Sequence, residues 1–144
     1  MQRALLLLGM VWASPLSVAA LLVGAVFLPW GARCTRSGPM WVFTSLPIGP
    51  KGALAMGQVV LSTLPSLNLR VPSYRARTPS ALVLGWAHER VHLGRHELAH
   101  VRQYLVLGPV FLPLYLLCGG VSARNPFERA ADRYARSGRG WWPF

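Results

Sequence analysis

His96, Glu97 and His100 stand in the order HExxH, in His96-Glu97-Leu98-Ala99-His100. On a helix, residues four apart lie one turn apart, so both imidazoles leave the same face and can grip one ion. Glu97 is turned by about 100° from His96. It therefore reaches past the ion toward a bound water and serves as general base, not as a third ligand. Zinc suits two imidazoles and a carboxylate, and it lowers the pKa of such a water to about 7.

The surrounding residue types strengthen this reading. The four acidic residues are Glu89, Glu97, Glu128 and Asp132, and the four histidines are His88, His92, His96 and His100. All eight fall between positions 88 and 132 of a 144-residue chain. His88-Glu89-Arg90-Val91-His92 is a second HExxH. The two motifs would lie about 12 Å apart along one helix, too far to share an ion in the same way. Arg90 puts a cation inside the first, so the second is preferred, and His88 and His92 are left as an accessory pair. A catalytic zinc needs a third protein ligand. Glu128 and Asp132, spaced i to i+4, face the same way on a downstream helix. Glu128 can bind the metal while Asp132 receives the outer N–H of a ligand histidine. Tyr134 is a candidate oxyanion donor.

HELAH followed by FERAAD resembles the gluzincin class of zinc metallopeptidases, over about residues 93–136. The resemblance implies His96, His100 and Glu128 as ligands of Zn2+, Glu97 as general base and Asp132 as support. It implies a peptide or protein substrate. The run from Leu107-Gly108-Pro109 to Leu117, then Asn125 to Glu128, is also similar to small bacterial membrane proteins carrying an HExxH helix, which implies the bacterial inner membrane.

The elements that must position these residues are read from patterning. Hydrophobic residues make up 53% of the chain and charged ones 13%, well below the usual quarter, which points to lipid contact. Residues 4–30 carry no charge, and about 20 apolar residues suffice to cross a bilayer. A retained transmembrane helix, kinked at Pro15, is expected over this run, in preference to a cleaved signal peptide. Arg33 and Arg36 place its C-terminal side weakly in the cytoplasm. The net charge of +11 suits anionic headgroups, and no nucleic-acid-binding signature accompanies it.

Met40–Thr44 and Gln58–Thr63 have the β-branched and aromatic content of short strands, punctuated by Gly38-Pro39, Gly49-Pro50 and Lys51-Gly52. Apolar spacing predicts a helix from Ser80 to Leu107, ended by Gly108-Pro109 and bent at Gly94. Asn125-Pro126 opens the last helix. If residues 105–121 crossed a bilayer, His100 and Glu128 would lie about 30 Å apart, so a broken, membrane-associated hairpin is expected there. Cys34 and Cys118 read as free buried thiols.

The expected fold is mainly α with minor β. An N-terminal transmembrane anchor, 1–36, precedes a small zincin-like domain, 37–144, with a few short strands. The expected function is a membrane-anchored zinc hydrolase, a metallopeptidase. The alternative is a non-catalytic metal-binding membrane protein for sensing or transfer. A di-iron carboxylate protein, suggested by Glu89-x-x-His92 and Glu97-x-x-His100, is disfavoured because both elements fall on one predicted helix.

Overall fold

A computed structural model describes residues 2–49 and 51–144, with side chains from Leu6 onward; Pro50 and the Gly49-Pro50 turn it would complete lie partly outside this description. The fold is mixed α/β, with 46% of residues helical and 17% in strands, so β-structure is more than a minor addition. The chain divides into two compact units.

The first unit holds residues 1–67 and 101–111. Its apolar N-terminal run is not one helix. Helices α1 (Gln2–Trp12) and α2 (Ser14–Val26) are separated at Ala13 and bent by 66°. Pro15 sits in the first turn of α2. A proline there has no N–H to give and crowds the carbonyl four residues back, so the α1 ladder cannot run through it. The single transmembrane helix expected here is thus corrected. Among the described residues no single helix is long and apolar enough to cross a membrane, though the bent pair together has the length and composition of a broken span.

Four strands follow: β1 (Arg33–Ser37), β2 (Met40–Thr44), β3 (Ala53–Met56) and β4 (Val59–Ser62), in the order β1-β2-β4-β3. β2 and β4 pair in parallel and the two outer pairs are antiparallel. Ala20 of α2 packs against Phe43, Leu46 and Val59 to form the core. Gly24 permits this approach, since a Cβ there would lie 2.6 Å from the Phe43 ring. Both cysteines are free, as expected, but Cys34 is exposed on β1 and Cys118 half-buried.

The second unit holds residues 68–100 and 112–144. β5 (Arg70–Pro72) and β6 (Arg90–His92) form an antiparallel pair with Arg70 opposite His92. Helix α3 begins at Leu93 and runs to Leu107, so the helix expected from Ser80 is corrected. Residues 80–88 fold instead into turns closed by Trp86 N–H on Ala81 O (2.8 Å), with Gly85 at φ 73°. That left-handed conformation stops helix growth. The two HExxH motifs are separated by the junction of β6 with α3, not by a bend at Gly94.

After α3 the chain breaks at a 3-10 turn, Gly108–Val110, then forms α4 (Phe111–Leu117) and α5 (Pro126–Ser137). Asn125 caps α5 through Phe127 N–H (2.9 Å). Its amide also donates to Tyr115 O (3.0 Å) and Gly120 O (2.7 Å). Being fully buried, it ties the turn after α4 to the start of α5. Replacing Asn125 with Ala removes the cap and strands two carbonyls, and is expected to cost about 2–3 kcal/mol. Urea unfolding measures this; a loss below about 0.5 kcal/mol would show that the cap is not what holds the turn.

Candidate metal centre

α3 and α5 meet through Ala99 and Ala131, both fully buried, with Tyr134 beside them. Small side chains let the helices approach closely. α5 has two unlike faces. Glu128, Ala131, Asp132 and Ala135 are buried, whereas Arg129, Arg133 and Arg136 are exposed. The carboxylates therefore point at α3, and the arginines of the same helix do not neutralise them.

His96 Nδ1 lies 2.9 Å from Asp132 Oδ1, and His96 Nε2 lies 3.0 Å from Glu128 Oε2. His100 Nε2 lies 3.1 Å from His96 Nε2 and 3.3 Å from Glu128 Oε2. The last distance also meets the condition on residues 105–121, since His100 and Glu128 stand on the same side of that segment. Asp132 Oδ1 accepts a hydrogen bond from Nδ1–H, which in a neutral His96 leaves Nε2 with a lone pair to offer. Two imidazole nitrogens and a carboxylate oxygen then face one point. Three acceptors this close need a positive charge between them, either a proton or a metal ion. Donors around an ion with about 2.0 Å bonds at tetrahedral angles are spaced by about 3.3 Å, so the observed triangle fits such an ion. His96, His100 and Glu128, all buried, are the group among the described residues that could hold a metal ion.

Charges at the centre follow from its burial. Burial disfavours a charged His96, but hydrogen bonds from the ring to Asp132 and Glu128 outweigh it and raise the pKa to about 10. Burial would also raise Glu128. The neighbouring His100 charge and the hydrogen bonds of both histidines reverse this and hold it well below the usual carboxylate range. Glu97 is buried, which pushes its carboxyl up against the pull of His96 and His100.

No known family, curated protein or solved structure matches the chain.

Two tyrosines border the centre that the motif did not indicate. Tyr74 stacks on His96 with ring centroids 5.7 Å apart, and its backbone N–H donates to Asp132 Oδ2 (2.9 Å). Asp132 thus orients His96 while being held by Tyr74. The Tyr115 hydroxyl donates to Glu128 Oε1, leaving Oε2 toward the imidazoles. Tyr74 lies far from the motif in sequence, so no local signal marks it. Tyr115 is detectable as the one polar side chain of Phe-Leu-Pro-Leu-Tyr-Leu-Leu.

The remaining candidates lie elsewhere. His88 is exposed in a turn, and His92 ends β6 with Nε2 2.9 Å from Asn68 Oδ1. The four histidines do not share a helix face, because the first two precede α3. Glu89 accepts from Ser73 Oγ and pairs with Arg136, so it clips the chain before Tyr74 to α5. This also separates Glu89-x-x-His92 from the helix a di-iron site would need. Tyr134 packs against Ala99 and Ala131.

Asp132→Asn removes the anion that fixes the His96 tautomer. A loss of about 10- to 100-fold in zinc affinity is expected, read by competition with a chromophoric chelator. Unchanged affinity would mean that Asp132 does not support the ring as a ligand.

Proposed function

We propose that this protein is a membrane-associated zinc hydrolase that cleaves peptide bonds. One observation carries the reading: His96 Nε2, His100 Nε2 and Glu128 Oε2 converge within 3.3 Å of one another. His96, His100 and Glu128 hold the ion. When bound in such a site, zinc polarises a carbonyl and lowers the pKa of a water to about 7. Glu97 follows His96 on the same turn. Its buried carboxyl is held above the ordinary range, which makes it a stronger base than a surface glutamate, able to accept a proton and return it to a leaving amine. Asp132 fixes the His96 ring, and Tyr115 holds the outer oxygen of Glu128.

Membrane association is supported by the apolar side chains that α1 and α2 leave exposed, among them Leu7, Leu8, Val11 and Leu22. Lipid is the partner that composition favours.

The test is cleavage of a peptide library by the detergent-purified chain, followed by mass spectrometry. Products should form, disappear with a chelator and return with added zinc. Stoichiometric metal without any cleavage would replace this reading with the sensing or transfer role.

A further inference from the structure

The loop before β6 displays apolar residues where a fold would ordinarily bury them. Leu82, Val83 and Leu84 are 79%, 90% and 51% exposed. The loop is nevertheless closed on its own backbone. Leu84 N–H donates to Ser80 O (3.0 Å), and the Trp86 and Ala87 N–H groups both reach Ala81 O (2.8 and 3.2 Å). Ala81 is buried inside this turn. The three side chains are therefore presented outward by an ordered scaffold. Three consecutive large apolar residues at a tip favour an apolar phase over water.

The collar of the loop has a different character. The Arg75 guanidinium lies 5.2 Å over the Trp86 ring, and Arg77 lies 5.0 Å over the Tyr74 ring. Arg70, Arg75, Arg77, Arg90 and Arg95 all fall between positions 70 and 95. The one acid of that stretch is Glu89, which accepts from Ser73 Oγ and pairs with Arg136; Glu97, just beyond it, is buried. The collar is thus cationic, with an indole at the neck of an apolar tip. An anionic bilayer offers the complementary order, headgroup charge first and hydrocarbon beneath it.

We infer that the loop carrying Leu82, Val83 and Leu84 inserts into an anionic membrane surface, with Arg75, Arg77 and Trp86 at headgroup level. Tyr74, which adjoins Arg75, stacks on His96. The inserted loop would therefore keep the His96 centre at the interface, where a juxtamembrane segment of a substrate is within reach. Insertion itself does not depend on a metal at His96.

The test uses the full chain with Cys34→Ser and Cys118→Ala, carrying one environment-sensitive fluorophore at Val83→Cys, and in parallel at Leu82→Cys or Arg139→Cys. The chain is reconstituted with vesicles of equal parts phosphatidylcholine and phosphatidylglycerol. Labels at 82 and 83 should shift to the blue, be quenched by nitroxide-bearing lipids and lose quenching by aqueous iodide. The label at exposed Arg139 should stay open to iodide. Labels at 82 and 83 as open to iodide as the one at 139 would overturn the inference. So would a chain that fails to bind the vesicles. Either result would direct the tip to a protein partner instead.

Discussion

Glu97→Gln is expected to leave one zinc per chain and to lower peptide cleavage by about 10²- to 10⁴-fold. Gln is nearly isosteric with Glu, so the packing of α3 should persist. His96, His100 and Glu128 are untouched, and metal content should not change. What is lost is a group that can accept a proton. Burial already holds the Glu97 carboxyl above its ordinary range, so the wild-type residue is a stronger base than a surface glutamate. Single-turnover rates at saturating peptide, paired with metal analysis, measure both quantities on one sample. Full activity in the variant with zinc still bound would remove Glu97 from the chemistry. Loss of zinc along with activity would make its role structural.

Zinc affinity is expected to rise by about one decade per pH unit from neutral pH toward 10. In the metal-free centre His96 carries a proton with a pKa raised to about 10. The ion must displace that proton. For an ordinary imidazole the competition ends near pH 6.5, whereas here it continues above pH 7. The same shift has a consequence for the metal-free fold. A group whose pKa is raised on folding stabilises the folded state fully below its unfolded pKa, here 6.5, and that contribution is lost as pH rises through about 10. Chelator-treated protein should thus unfold at lower urea concentration as pH rises from neutral to 10. A zinc affinity that is flat above pH 7, or metal-free stability that rises there, would contradict the proton on His96.

The centre was legible because helical spacing is a local property. His96 and His100 are four positions apart, as are Glu128 and Asp132, and each pair lies on one face wherever its helix is placed. Their meeting was suggested by the shortage of other carboxylates. The strands at Met40–Thr44 and Val59–Ser62 were legible from their β-branched content. Their partners were not: β1 is Arg-Cys-Thr-Arg-Ser, wholly exposed, and owes its form to pairing with β2. The error at Ser80 has a clear origin. Leu82 and Trp86 are four apart, the spacing of a helix face, but Leu82 is exposed on a turn. Periodicity cannot distinguish a residue facing a core from one facing away. In the N-terminal run the expected kink at Pro15 is there, but it is a 66° break between two helices and not a bend within one. Tyr74 and Tyr115 reach the centre through tertiary packing, to which spacing is blind.

Zinc-edge X-ray absorption on the purified chain tests the central claim most directly. The expected shell is two imidazole nitrogens and carboxylate or water oxygens at about 2.0–2.2 Å, reduced by one imidazole in His100→Ala. Sulfur scattering at about 2.3 Å, which would assign the metal to Cys34 or Cys118, would contradict it. Purified protein without stoichiometric metal would do the same.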